Sequence, residues 1–449
     1  MIENNHKPVA VIGAGPAGLY AAQYLARQGV EVALFNRDIK PGGLAEYGIF
    51  PDKVKMRTGL MAQFERILAM PNVRYRGNVT IGQSGDISLD QLRQAGFGAM
   101  MVTTGAQQNN WLGLPGEDLQ GVYHANDIVF HYNRLPAYAD QQLDFGRQVA
   151  VIGVGNVMLD VVNYLKGHHT PCTVTAYARR GPGEVKFDQQ TLEPVAGCLD
   201  LEAIGEAVKE AYPSMASAGD AVRKFYALLV GAREKSAECD TGLTFRMRFL
   251  MSPLRLIGDE SGRVKAIQFE INHLVHEGEA VFSRGTGRLE TVAADTVIFS
   301  IGSRVNPDFG LPVAQGNYVT TPEPHFPIDG ISYEVYNPDL CARCEDIFVS
   351  GWARLASEGI VGLARKDAER GARALLGYLD TLQPDATTSI DAVLTRLPRL
   401  DKKVVDFADL TVLSEEEGRI AAQQGLPAFK FSSNADMLDA IERGLARKL

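Results

Sequence analysis

The sequence predicts an α/β chain built on two copies of one strand–turn–helix unit. Two stretches carry that prediction: "VIGAGPAGLYA" from Val11 and "VIGVGNVMLDV" from Val151. A third observation supports it. Glycine supplies 45 of the 449 residues, above the usual ~7%, so tight turns are frequent.

In the first copy, Val9 to Ile12 is a continuous apolar run, as expected of a parallel strand covered on both faces. Gly13, Gly15 and Gly18 follow at G-x-G-x-x-G spacing, with Ala14, Pro16 and Ala17 between them. The first glycine permits the tight turn, the second lets a pyrophosphate approach the backbone, and the third lets the helix pack on the strand. Amides at the helix start, aided by its dipole, hold phosphates. The next strand ends at Asn36, where an acid would take the ribose hydroxyls. An amide also bonds a hydroxyl, without the strengthening of charge.

In the second copy, Gly153 and Gly155 are followed by Asn156, Val157 and Met158. Met158 stands where the third glycine would be and predicts looser helix–strand packing there. The following strand, "TVTAYARRGP", ends in Arg179 and Arg180. A planar guanidinium matches a 2′-phosphate, which an acid would repel, so NADP is expected over NAD. Two Rossmann-like sites in one chain imply a relay between two dinucleotides. The first suits a tightly held FAD and the second an exchangeable NADP(H), with hydride passing between nicotinamide C4 and flavin N5.

Composition is that of a globular protein, 45% hydrophobic and 22% charged. A net charge of −9 argues against nucleic acid as a partner. No apolar run reaches the ~18 residues of a membrane helix; the longest candidate is "FYALLVGA" from Phe225. The start "MIENNHKP" does not read as a secretory signal. Five cysteines (172, 198, 239, 341 and 344) are odd in number and irregular in spacing, so no disulfide framework is expected. The expectation is a soluble cytoplasmic protein. The histidines, including the adjacent His168 and His169, lack metal-ligand spacing, and no metal is expected.

Further motifs narrow the function. "PGGLAEYGIFPDKVK" from Pro41, "VTTGA" from Val102, "LPGEDLQGVYHANDIVFHYN" from Leu114, "VIFSIGSRVNP" from Val297 and "GWARLASEGIVGLARKDA" from Gly351 resemble the adrenodoxin-reductase-type ferredoxin–NADP reductases, nearly end to end. A weaker resemblance, mostly in the glycine loops, extends to the small subunit of glutamate synthase. That subunit carries an N-terminal cysteine-rich region, whereas no cysteine precedes Cys172 here.

The resemblance implies an FAD-binding domain over residues 1–112 and 306–449, interrupted by an NADP-binding domain over 113–305. Gly13 to Gly18 would hold the FAD pyrophosphate, with Asn36 at the ribose, Gly43 and Leu44 beside it, and Val79 at the adenine. Thr104, Gly105 and Gly351 would also contact the FAD, while Trp352, Gly359, Ile360 and Val361 would line the flavin, with Gly359 also close to the nicotinamide. Gly153, Gly155, Asn156, Val157 and Met158 would hold the NADP pyrophosphate, and Arg179 with Arg180 its 2′-phosphate. The cofactors carry the hydride, so no residue is assigned as catalytic. The chain departs from the family at Asn36, at Lys53 (a histidine in the family) and at Thr191, where a gapless count from "RRGP" places an acid; Glu193 lies two residues on. It also lacks the family's basic–Gly–Pro run before Gly359.

The implied partner is a small acidic iron–sulfur protein. Arg223, Lys224, Arg233, Lys235, Arg246 and Arg248 form either a solvated face or a docking patch for it. Cys341 and Cys344 have redox-pair spacing. They stand eight residues or more before Trp352, some 25 Å along an extended strand at ~3.3 Å per residue, so loop thiols are the leading reading, with redox sensing or metal binding as alternatives. Two other functions remain open: an electron-input subunit of a larger complex, and a non-catalytic flavoprotein sensing the NADP redox state.

Overall fold

The computed structural model describes residues 6–167, 172–215, 219–278, 280–356, 361–383 and 388–448. The expectations placed on His168, His169, Gly359 and Ile360 therefore lie outside the described residues. The chain divides into two compact units, one of residues 1–108, 132–140 and 302–449, the other of 109–131 and 141–301. The sequence places the corresponding limits at 113 and 305, without the return of 132–140.

The first unit begins with β1 (Val9–Ile12), α1 (Pro16–Arg27), β2 (Val32–Phe35), α2 (Val54–Leu68), β3 (Val73–Arg76) and β4 (Ala99–Val102). These strands are parallel in the order β4-β1-β2-β3, and Ala342–Val349 adds a further parallel strand beside β4. Glu334–Asn337 pairs antiparallel to that strand and closes the sheet. Alternation along β1 explains the apolar run. Val9 and Val11 enter one core with Leu19, Leu25 and Phe64, whereas Ala10 and Ile12 enter another with Phe35, Phe97 and Val349.

The second unit has a five-stranded parallel sheet. It contains β5 (Val122–His124), β6 (Gln148–Ile152), β7 (Thr173–Tyr177), β8 (Thr244–Arg248) and, after an antiparallel sheet of β9 (Met251–Gly258), β10 (Val264–Glu277) and β11 (Ala280–Ala293), the central β12 (Thr296–Phe299). Its order is β5-β12-β6-β7-β8. Three helices concern the site: α3 (Asn156–Gly167), α4 (Gln189–Ala196) and α5 (Gly219–Arg233).

This unit corrects one expectation. Cys198 and Cys239 form a disulfide, with Cα atoms 4.9 Å apart. The partners lie 41 residues apart, so only the fold brings the segment after α4 against the segment before β8.

Back in the first unit, α6 (Val361–Leu379) packs along α1. Small residues on α6, Ala368 and Ala372, are fully buried there and permit the close approach. The chain ends in α7 (Phe407–Gln424) and α8 (Asn434–Lys448). They enclose a smaller core in which Leu413, Phe431, Met437 and Ile441 cover Ile39. Ile39 lies in the turn that follows β2, so the C-terminal helices brace the turn beside the first glycine loop.

Candidate functional site

Gly13, Gly15 and Gly18 are required for different reasons. A Cβ on Gly13, whose φ is +102°, would stand 2.6 Å from the Thr103 carbonyl oxygen, and one on Gly18 would overlap the Gly13 carbonyl oxygen. Those two glycines are dictated by packing. A Cβ on Gly15 would meet no protein atom within 4 Å, and its φ of −73° suits any residue. Among the described residues no packing contact demands glycine there, which leaves room for a group to lie against the loop. Gly15 also starts α1 without a side-chain cap, and Pro16 opens the helix. This is the uncapped N-terminus a pyrophosphate uses.

The loop is closed from several sides. Ala14 accepts a hydrogen bond from the Gly42 amide at 2.7 Å, and Gly43 (φ +50°) brings its Cβ position within 3.1 Å of the Gly15 α-carbon. Leu44, partly exposed, follows. Thr103 Oγ1 donates to the Gly13 carbonyl at 2.8 Å. Thr104 and Gly105 continue this edge, and Gly105 (φ +70°) also has open space at its Cβ position. A cleft beyond the strand ends is lined by Gly13, Asn36, Asp38, Val79, Thr104 and Asp308, among others. The carboxyl ends of β1 and β2 thus gather Gly13 to Gly18, Asn36, Gly43, Val79 and Thr104 on one side of the unit.

Asn36 is buried and turned inward. Its Oδ1 accepts from the Ala14 amide at 3.0 Å, while Nδ2 donates to the carbonyls of Asp38 at 2.9 Å and Lys40 at 3.0 Å. Gly351 (φ +65°) reaches the same region through the strand Ala342–Val349. Its amide donates to Asp367 Oδ2 on α6 at 2.6 Å. Asp367 also pairs with Arg354, whose guanidinium lies 4.8 Å above the Tyr333 ring centre. Together they set the position of the short turn Gly351–Ala353, which carries Trp352. Val361, the first residue of α6, packs on the same core.

A buried charge network beneath Gly43 and Leu44 escaped the sequence reading. Glu46 binds Lys40 at 3.0 Å and Lys430 at 2.9 Å, and Lys40 also binds Glu417 at 2.7 Å. Burial pulls the Lys430 ammonium down to about 8, against the opposing pull of Glu46. Burial pushes the Glu46 carboxyl up, but Lys40 and Lys430 outweigh it and hold the group below its ordinary value. Lys40 is lowered by burial and raised more strongly by Glu46 and Glu417, so it stays charged. The network ties the turn at residues 40–46 to the C-terminal segment.

The second loop repeats the division of labour. A Cβ on Gly153 (φ +114°) would stand 2.2 Å from the Ser300 carbonyl oxygen, whereas one on Gly155 would meet nothing within 4 Å. Asn156 exchanges two hydrogen bonds with Asp188, Nδ2 to Oδ2 at 3.0 Å and the Asp188 amide to Oδ1 at 3.1 Å. Asp188 in turn caps α4 through the Thr191 amide at 2.8 Å. Thr191 is therefore a capping residue whose hydroxyl also bonds Asp188, and Glu193 is drawn to Lys235. Val157 is partly exposed, and Met158 is fully buried, its side chain filling the place of the third glycine.

Arg179 and Arg180 follow the end of β7 on a backbone held from the other side. The Arg179 carbonyl accepts from Asn272 Nδ2 at 2.9 Å and the Arg180 carbonyl from the Leu250 amide at 3.2 Å. Arg179 is exposed and Arg180 half-buried. Neither guanidinium has a carboxylate partner among the described residues, unlike Arg246 on Asp200 and Arg248 on Glu290. Two uncompensated cations on a fixed backbone are suited to a phosphate.

The residues therefore fit two dinucleotides, and comparison with known proteins agrees. The pyridine nucleotide-disulphide oxidoreductase family matches residues 7–189. The mitochondrial NADPH:adrenodoxin oxidoreductase of Salvelinus fontinalis is 28% identical, over 96% of this chain and 90% of its own. The NADPH-ferredoxin reductase FprA of Mycobacterium leprae is 27% identical, over 96% of this chain and 97% of its own. The structure of Mycobacterium tuberculosis FprA in complex with NADPH covers 98% of this chain and 100% of its own, with a TM-score of 0.77 at 25% identity. The chain is a homologue of the NADPH:adrenodoxin and NADPH-ferredoxin reductases.

In this reductase the six cations of the expected patch all have partners. Arg223 and Lys224 pair with Asp220, Lys235 with Glu193, and Arg246 with Asp200. Arg248 is held by Glu290, and Arg233 donates to the Ala196 carbonyl at 3.0 Å, capping the end of α4. Cys341 and Cys344 are not joined to each other; Cys341 is exposed, and burial pushes the Cys344 thiol up. Lys53 precedes α2 at its N-cap position. Among the described residues no group of acids, histidines and cysteines is arranged to hold a metal ion, and no helix is long and apolar enough to cross a membrane.

Proposed function

We propose that this reductase holds FAD on the first glycine loop and NADPH on the second, and passes electrons to a small acidic iron–sulfur protein. One observation carries this reading. Each loop contains a glycine, Gly15 or Gly155, that the protein's own packing does not require, and the second loop is followed by two uncompensated arginines.

Gly13 to Gly18 present the start of α1 to the FAD pyrophosphate, with Val79, Thr104 and Gly105 along the adenosine half. Gly43 and Leu44 lie beside the ribose, Trp352 and Val361 line the flavin, and Trp352 is set in place by Asp367 through the Gly351 amide. Gly153 to Met158 receive the NADPH pyrophosphate, while Arg179 and Arg180 take its 2′-phosphate. Asp188 keeps the second loop in shape through Asn156. Bound FAD supplies the ability to accept a hydride and to release its two electrons one at a time. Of the cationic residues, Arg223, Lys224 and Lys235 are the most exposed. Asp220, the partner of Arg223 and Lys224, is exposed too, and Glu193, the partner of Lys235, is half-buried; these three cations remain available to a more strongly negative surface, whereas Arg233 and Arg248 serve the fold.

The test is anaerobic reduction of a small acidic ferredoxin by NADPH with catalytic amounts of the yellow protein. Multiple turnovers that weaken as salt rises are expected, because steering between charged surfaces is screened. Flavin that is reduced without passing electrons to the ferredoxin would contradict the assignment of partner.

A further inference from the structure

In a Rossmann site the residue ending the second strand commonly binds the ribose hydroxyls through a carboxylate. Here that residue is Asn36, and both hydrogens of its side-chain amide are committed within the protein. They go to the carbonyls of Asp38 and Lys40, at 2.9 and 3.0 Å, while Oδ1 accepts from the Ala14 amide. Only 8% of the residue is exposed. An amide has two donors, so Asn36 has none left for a ligand. Its work is to fold the turn over residues 36–40 against the glycine loop.

That turn presents Asp38. The Asp38 carbonyl accepts from Asn36 Nδ2 and from the Asn78 amide at 3.2 Å, which fixes its backbone between β2 and the segment carrying Val79. Asp38 lines the same cleft as Val79, Thr80 and Thr104. Arg37 Nε holds Asp38 Oδ1 at 3.2 Å and reaches Gln107 Oε1 through Nη1 at 2.8 Å. Oδ2 accepts no hydrogen bond among the described residues. The other carboxylate on the cleft wall, Asp308, comes from a distant segment of the chain, next to Phe309.

We propose that Asp38, two residues past the usual position, is the carboxylate that binds the ribose hydroxyls of the dinucleotide in the first site. The proposal rests on reading that site as the FAD site. Asn36 and Asp38 then divide what one acid does elsewhere. The amide orders the turn, and the carboxylate meets the ligand with Arg37 orienting it.

The experiment strips FAD from the protein and titrates the apoprotein with FAD, following quenching of flavin fluorescence, with a thermal melt of each apoprotein alongside. Asp38→Asn should bind FAD roughly 10- to 100-fold more weakly, the effect of weakening one or two charge-assisted bonds, with an unchanged melt because Arg37 is the one hydrogen-bond partner of its carboxylate among the described residues. Asp308→Asn should bind as the parent does. Asn36→Asp cannot donate to the two carbonyls, so it should melt lower and bind no more tightly. Parent-like affinity in Asp38→Asn, or tighter binding in Asn36→Asp, would overturn the proposal. Failure of the parent apoprotein to bind FAD at all would instead overturn the reading of the first site, and the proposal with it.

Discussion

Gly351 rests directly on Ala17: a Cβ at Gly351 would stand 2.6 Å from the Ala17 Cβ. This contact joins the strand Ala342–Val349 to the first turn of α1 and sets Trp352 beside the glycine loop. Gly351→Ala adds that clash to the strain of a φ of +65°. A loss of about 1–3 kcal/mol in the apoprotein is expected, measured by denaturant unfolding. Gly15→Ala is the contrast. With open space at its Cβ position among the described residues, the apoprotein should be as stable as the parent while FAD affinity falls, because the methyl group would take the place proposed for the pyrophosphate.

The Glu46–Lys430 pair should make stability depend on alkaline pH. Lys430 titrates at about 8 in the folded chain against an ordinary 10.5. Between those values the unfolded chain keeps a proton that the folded chain has released, so stability rises with pH across the window. Below pH 8 the cost of the buried ammonium is fully present. The rise from this group approaches about 1.4 kcal/mol per pH unit. Lys430→Met should abolish it. Parallel denaturation curves for parent and variant at pH 8, 9 and 10 provide the check, and a constant difference between them would remove Lys430 as the source.

The Cys198–Cys239 disulfide closes a loop of 41 residues. By the loop-entropy relation, a cross-link of that span contributes about 4 kcal/mol. Cys198→Ser with Cys239→Ser should lower the stability of the second unit by that order. Reductant should lower the parent equally and leave the double variant unmoved, as read by unfolding curves with and without dithiothreitol.

The strands and turns of both sites were legible because their signals are local. Val9 to Ile12, the spacing of Gly13, Gly15 and Gly18, and the arginines ending β7 each state their role within a few residues. What escaped depends on distance or on shape. Nothing near Cys198 points to Cys239, and nothing near Glu46 points to Lys430, 384 residues away. Asn36 reads as a weak ribose ligand until the turn to Lys40 is seen to consume its amide. Thr191 reads as a displaced acid until Asp188 is seen to cap α4 through it. The six cations read as one patch, but Arg233 and Arg248 are tied into the fold by groups far along the chain.

The relay itself is tested most directly by mixing the FAD-loaded protein anaerobically with NADPH or NADH and following loss of the oxidised flavin absorbance. In the proposed second site, Arg179 and Arg180 would meet a 2′-phosphate that only NADPH carries. With each charge-assisted contact contributing about 1–2 kcal/mol and 1.36 kcal/mol making a tenfold difference, NADPH should be preferred by roughly 30- to 1000-fold at subsaturating coenzyme. Replacing both arginines by alanine should remove most of that preference, and the preference of the parent should shrink at high salt. Equal bleaching by NADH and NADPH in the parent would contradict the assignment of the second site, and no bleaching by either would contradict the relay.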